Sequence, residues 1–235
     1  MIPLRTSGEL PAWTSRALGY VFVNPALCEV ALTHRSAGSS HNERLEFLGD
    51  AVLNCTVARL LYEAHPKADE GALSRERASL VSGETLAQIA ADLGLGDCLR
   101  LGGGELKSGG FRRASILADA LEAVLGAIFL DSGFDAVYGV VRHILGPRLA
   151  ELPPASELKD PKTRLQEALQ GRGMALPHYE LTHVVGEAHE QSFTISCEVP
   201  ALRLKSTGEG ASRRRAEQVA AERLLAQLPA DMQKI

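Results

Sequence analysis

The chain has 235 residues, enough for two modest domains, and its 45% hydrophobic but only 5% aromatic content calls for largely aliphatic cores. No stretch approaches the roughly 18 apolar residues of a membrane span, and residues 1–11 lack a basic-then-apolar leader pattern, so a cytoplasmic protein is expected. The net charge of −4 hides an asymmetry: residues 1–160 carry 15 Lys and Arg against 20 Asp and Glu, residues 161–235 carry 10 against 9. An acidic total argues only weakly against a nucleic-acid partner, because phosphate contacts depend on the face presented.

In chain order, apolar spacings of three and four predict helices over 42–62, 72–82, 84–93, 114–130 and 134–149. Almost nothing before residue 150 alternates with a period of two, so residues 1–150 are expected to form an all-α domain. Gly94, Gly96 and the run Gly102-Gly103-Gly104 mark loops. Residues 151–160 have the Pro-rich polar composition of a linker, and a second, α+β domain is expected over 161–229. Asp160-Pro161 predicts a helix start, since Asp accepts from orphan N–H groups and Pro lacks one anyway. Leu165 and Leu169 share a face of that helix, and Gly171 and Gly173 end it. Residues 178–185, 191–199 and 202–207 predict strands, with a turn over Gly186–Glu190. A last helix from about 212 to 228 should bury Ala216, Val219, Ala220, Leu224 and Leu228, giving the order α-β-β-β-α.

Cys28, Cys55, Cys98 and Cys197 form no CxxC pair, which argues against a zinc site or a disulfide framework. Cys55 and Cys197 fall within apolar patterns and are expected in cores.

The segment His41-Asn42-Glu43-Arg44-Leu45-Glu46-Phe47-Leu48-Gly49-Asp50 concentrates chemistry. On a helix, Glu43, Glu46 and Asp50 share one face, while Leu45, Leu48, Val52 and Leu53 face the other way. Like charges at these spacings repel, so cations must offset them. A second predicted helix carries Asp119 and Glu122 on one face beside an apolar stripe of Leu117, Leu121, Val124, Leu125 and Ile128. Gly49, Ala118, Ala123 and Gly126 would let two such helices approach closely. Carboxylates from two apposed helices make an all-oxygen site of the kind Mg²⁺ or Mn²⁺ prefers. A solvated acidic surface is the plain alternative for either pair alone. The glycines over 102–110 lack both GxxxxGK[ST] and GxGxxG, which excludes the usual nucleotide loops. A flexible loop bearing Lys107, Arg112 and Arg113 near the acids, facing either phosphates of a ligand or solvent, is expected instead.

Asn42-Glu43-Arg44-Leu45-Glu46-Phe47-Leu48-Gly49-Asp50 resembles the signature of the ribonuclease III family. So do Asp69-Glu70-Gly71, Gly104-Glu105-Leu106-Lys107-Ser108-Gly109-Gly110, and Ser115-Ile116-Leu117-Ala118-Asp119 through Glu122. The resemblance covers nearly the whole chain and is nearest the bacterial form, with one nuclease domain and one RNA-binding domain. It implies Glu46, Asp50, Asp119 and Glu122 as metal ligands, with Asp50 and Glu122 central to catalysis. It makes Glu43 an auxiliary acid beside the cleavage site and Glu70 a further acid linked to cleavage. It also implies Mg²⁺ (Mn²⁺ substituting), two ions per site, and a homodimer in which each subunit cuts one strand. The products would bear 5′-phosphate and 3′-hydroxyl ends with a two-nucleotide 3′ overhang, and ribosomal and other transcripts would be processed. No histidine is given a catalytic role.

Near the C-terminus, Ser212-Arg213-Arg214-Arg215-Ala216-Glu217 sets arginines at a helix start, where backbone N–H groups already favour phosphate. With the α-β-β-β-α order, this resembles the double-stranded-RNA-binding domain, which reads A-form shape over about 16 base pairs. The resemblance implies RNA contacts by Thr163, Gln166 and Gln170 in one minor groove, by His189 in the other, and by Ser212, Arg213 and Arg214. Glu217 stands where many such domains have lysine, which should weaken binding by this domain alone. The competing function is a non-cleaving RNA-binding or assembly protein; the complete set of four acids speaks for the nuclease.

Overall fold

The computed structural model describes residues 10–153, 158–187, 190–229 and 232. The chain forms two compact units, Met1–Pro153 and Pro154–Ile235. In the first, helices α1 (Leu10–Leu18), α2 (Pro25–Ala31), α3 (Glu43–Ala64), α4 (Glu70–Leu80), α5 (Gly83–Asp92), α6 (Gly103–Lys107) and α7 (Ala114–Ala150) follow one another, and no strand is found among the described residues. Asp69 and Ser82 cap α4 and α5 by accepting from the backbone N–H groups of Ala72 and Thr85. Gly133 breaks α7 at φ 78° and ψ −171°, a conformation open to glycine, so two helical stretches meet there.

Helices α3 and α7 form the most extensive helix pair of the unit. Leu45, Val52, Leu53, Val57, Leu60 and Leu61 are buried along α3, and α7 is buried at almost every position from Ile116 to Ile128. Trp13 of α1 is only 1% exposed and donates its indole N–H to the Leu93 carbonyl at 2.9 Å, which satisfies its one polar group inside an aliphatic core.

Several expectations need correction. Cys55 is exposed rather than in the core: it lies on an exposed stripe of α3 with Ala51 and Arg59, four residues to either side. Leu48 is half-buried at the edge of the interface. The glycine run does not form a loop throughout, because residues 103–107 close one helical turn and a half behind Gly102. Helices α1 and α2 carried too few periodic positions to be placed individually.

The second unit comprises α8 (Pro161–Gln170), β1 (His178–Val185), β2 (Ser192–Val199), β3 (Leu204–Gly210) and α9 (Arg213–Leu225). The strands form an antiparallel sheet in the order β1-β2-β3, with Cys197 opposite both Tyr179 and Ser206. Leu165, Leu169, Cys197, Val199, Ala220, Ala221 and Leu224 make the core between helices and sheet. Asp160 caps α8, accepting from Lys162 N–H at 2.9 Å, with Pro161 in the first turn. Strand β3 begins two residues later and ends three later than its pattern predicts, because Gly208 and Gly210 hide its alternation. On α9, Val219 is half-buried and Ala221 takes a core position instead.

Candidate active site

The acidic site follows from the way α3 meets α7. A Cβ at Gly49 would lie 1.8 Å from the Glu122 carbonyl oxygen, and one at Gly126 would lie 2.3 Å from that of Leu45. The two backbones therefore touch, and only glycine permits it on either side. Their acidic margins are drawn together at that contact. Carboxylate oxygens of Glu46, Asp119 and Glu122 all lie within 4.8 Å of one another.

The packing that buries the leucines also takes these acids partly out of water. Glu122 is pushed up from 4.5 to about 7, first by burial and then by the charges of Asp50, Asp119 and Glu46. Glu46 is raised by burial and by Asp119, Glu43 and Asp50. Asp119 is raised by burial, with His34 opposing. Among the described residues, none of the three carboxylates accepts a hydrogen bond or joins an ion pair. Half-buried, mutually repelling and unpartnered oxygens form a donor set that a hard divalent cation fits.

The other predicted acids stand differently. Asp50 is exposed, and Asn54 holds it through Nδ2–H at 2.9 Å. Its charge reaches Glu46 and Glu122, yet its oxygens lie outside the tight group of three. Glu43 pairs with Arg35 at 3.3 Å, and His41 Nδ1 lies 3.7 Å away. Glu70 sits exposed in the first turn of α4, accepts from Ser74 Oγ at 2.7 Å, and is not part of the cleft wall.

Glu43, Glu46 and Asp119 open onto a cleft of about 470 Å³. Its walls include residues that the sequence did not single out: His34 and Arg35 on one side, Glu105 on another. Arg113, expected on a flexible loop, is in the wall and fixed: it meets Glu105 at 2.9 Å and donates to Ser108 Oγ at 3.2 Å. No local spacing links these segments to the acids, since loop closure brings them there. The available signal was the adjacent pair His34-Arg35 just upstream of the acidic helix.

In the second unit, Thr163, Gln166 and Gln170 are exposed on one stripe of α8, opposite Leu165, Ala168 and Leu169. Ser212 caps α9, accepting from Arg215 N–H at 3.2 Å, and Arg213, Arg214 and Arg215 are exposed around that end. His189 lies outside the described residues. Glu217 forms an ion pair with Lys162 of α8, and Lys162 also lies over the Tyr179 ring at 4.7 Å. Glu217 thus braces α9 against α8, a structural use for an acid at a position read as facing RNA.

Comparison with known proteins gives the class first. Residues 24–149 match the Ribonuclease-III-like family and residues 161–228 the double-stranded RNA binding motif, so this is a nuclease fold followed by a duplex-RNA-binding fold. The chain is 58% identical over 219 residues to Ribonuclease 3 of Thiobacillus denitrificans, covering 93% of this chain and 97% of that one. It is 55% identical over 214 residues to Ribonuclease 3 of Vibrio vulnificus, covering 91% and 95%. A solved nuclease domain of ribonuclease III from Campylobacter jejuni, described for flexibility in a region involved in dimer formation, superposes with a TM-score of 0.57 at 41% identity. That match covers 59% of this chain and 97% of the other. The chain belongs to the ribonuclease III family.

Proposed function

We propose that this chain is an endoribonuclease that cleaves both strands of double-stranded RNA by divalent-metal-assisted phosphodiester hydrolysis. The observation that carries the reading is the set of three half-buried carboxylates without protein partners where α3 touches α7. Glu46, Asp119 and Glu122, with Asp50 at the rim, would hold Mg²⁺ or Mn²⁺, two ions per site. When bound, such ions offset charge on the phosphoryl group and make water a better nucleophile. Glu43 and Glu105 hold Arg35 and Arg113 in the cleft wall, where guanidinium groups meet non-bridging phosphate oxygens. Glu70 stays an auxiliary acid in this reading. Thr163, Gln166, Gln170 and His189 would address the minor grooves, and Ser212, Arg213 and Arg214 the phosphates between them.

The working unit in this reading is a homodimer. Phe47 of α3 is 82% exposed, and with Leu27, Val30, Leu48 and Leu130 it lines an apolar cleft of about 850 Å³. Exposed apolar side chains gathered on one face mark an interface in this reading. Because Phe47 adjoins Glu46 on the same helix, a second copy there would bring two acidic sites to one duplex. The assigned substrates are duplex regions of ribosomal and other transcripts in the cytoplasm. No described helix is long and apolar enough to cross a membrane.

The decisive experiment incubates the purified chain with a long RNA duplex, with and without Mg²⁺, and maps both product ends. Metal-dependent cuts leaving 5′-phosphate, 3′-hydroxyl and a two-nucleotide 3′ overhang are expected. Duplex binding without cleavage in either Mg²⁺ or Mn²⁺ would favour the non-cleaving binder. Light scattering should report twice the 25.1 kDa chain mass, and the monomer for Phe47→Asp.

The arginine-led helix gives a separate expectation. Replacing Arg213 and Arg214 with Ala should weaken duplex binding and flatten its salt dependence, each lost phosphate contact lowering the log–log slope by roughly 0.7–0.9. An unchanged slope would place the phosphate contacts elsewhere.

A further inference from the structure

We propose that Lys162 and Glu217 are positioning residues for duplex RNA. With Asp160 and Gln218 they clasp the start of α8 to the start of α9 and set the spacing of two RNA-facing elements; the inference rests on the RNA contacts proposed above.

Helix α9 is seated on the sheet through its backbone. A Cβ at Gly208 would lie 2.2 Å from the Ala216 carbonyl oxygen and 2.3 Å from the Ala220 nitrogen. Ser206 Oγ–H donates to the Ala220 carbonyl at 2.7 Å. Helix α8 is held differently. Its buried side chains begin at Leu165, a turn into the helix, so polar groups must fix the first turn, where Thr163 lies. Asp160 supplies one joint. Its Oδ1 accepts from Lys162 N–H at 2.9 Å and caps α8, while its Oδ2 accepts from Gln218 Nε2–H of α9 at 2.5 Å. The latter oxygen also lies 3.9 Å from Arg214 Nη2. Lys162 supplies the second joint. It forms an ion pair with Glu217 of α9, and its ammonium lies 4.7 Å from the centre of the Tyr179 ring on β1. One lysine therefore ties α8 to both α9 and the sheet.

The clasp joins elements that must meet one duplex together. Thr163 and Gln166 are exposed on α8, and Arg213 and Arg214 are exposed at the start of α9. Minor-groove edges and phosphates keep a set separation on an A-form helix, so the protein groups that read them need a matching separation. Holding it before RNA arrives removes an ordering cost from binding. Glu217 decides between this role and a passive one. A bystander carboxylate beside three arginines repels phosphate, so removing its charge would tighten binding. A carboxylate that positions α8 predicts the opposite sign.

The test is binding of the full chain to an RNA duplex of about 16 base pairs, over a range of salt and without divalent ions, so that no RNA is cut. Glu217→Gln should raise the Kd about 3-fold, the size expected of a partly exposed ion pair, with an unchanged log–log salt slope. Gln218→Ala should act in the same direction through the other joint, and it decides the matter if Glu217→Gln fails to fold. Exchanging the pair, Lys162→Glu with Glu217→Lys, keeps the net charge and should return the Kd toward the wild-type value. Wild-type protein that binds no duplex would overturn the RNA reading itself. Wild-type protein that binds, with Glu217→Gln binding equally or more tightly, would overturn this inference alone. So would an exchanged pair that binds no better than Glu217→Gln. Lys162→Gln should also keep the wild-type slope; a slope lower by roughly 0.7–0.9 would make Lys162 itself a phosphate contact and overturn the clasp.

Discussion

Glu122→Gln is expected to lower cleavage of duplex RNA by about 10³-fold, because losing a charged ligand removes several kcal/mol of transition-state stabilisation at about 1.4 kcal/mol per decade. Binding of the duplex should change little, since Arg213, Arg214 and the exposed stripe of α8 are in the other unit. Gel-shift and single-turnover cleavage measurements on one preparation separate the two quantities. Wild-type cleavage by this variant in Mg²⁺ would remove Glu122 from the metal site.

The same substitution should stabilise the metal-free protein at alkaline pH. Glu122 is raised from 4.5 to about 7 by burial and by Asp50, Asp119 and Glu46. Between those values the folded state binds more protons than the unfolded state. Its contribution to stability is therefore fully present below about pH 4.5 and is lost as pH rises through about 7. Solvent screening at this half-buried position leaves a loss of about 1–2 kcal/mol by pH 8. Gln cannot ionise and escapes it, so without metal the variant should melt higher than wild type at pH 8. Added Mg²⁺ should raise the wild-type melting temperature by mass action and the variant's much less. A variant that melts lower at pH 8 without metal would mean that the neutral amide loses packing that the carboxylate supplied.

What could be read in advance divides along physical lines. The spacing of Glu46 and of Asp119 with Glu122 was legible because a helix repeats every 3.6 residues, and the leucines opposite them marked the buried side. The α-β-β-β-α order was legible from one clearly alternating strand and from Asp160-Pro161. What escaped was long-range. Arg35, Glu105 and His34 reach the cleft because the backbone of 32–34 pairs with that of Arg100 across the fold and Gly102 N–H donates to Ser36 Oγ, and neither segment is periodic. Cys55 was misplaced because an apolar neighbourhood does not say which side of a long helix faces the core. Glu217 was legible as a residue but not as a partner of Lys162, since that contact joins positions 55 apart.

Gly49→Ala should be the most damaging single methyl group in the nuclease unit. Alanine ordinarily helps a helix interior by about 1 kcal/mol relative to glycine. Here the added carbon would sit 1.8 Å from the Glu122 carbonyl oxygen and 2.5 Å from its carbon. Those atoms are backbone, so no side-chain rotation relieves the clash, and α3 must move away from α7. Overpacking of this kind costs about 1–3 kcal/mol and sometimes more, which outweighs the propensity gain. The net expectation is a destabilisation of about 2 kcal/mol, read from urea unfolding. Activity should fall further than stability explains. Separating the helices by about an ångström spreads Glu46 from Asp119 and Glu122, and misplacement on that scale can cost about 10²-fold. Gly139→Ala is the control: it lies on exposed α7 surface with nothing within 4 Å of the new carbon, and it should leave cleavage intact while raising stability. If Gly49→Ala unfolds like Gly139→Ala and still cuts RNA at the wild-type rate, close backbone contact is not what assembles the acidic site. If the two diverge as expected, the glycine inside the acidic motif acts on catalysis by setting the distance between two helices.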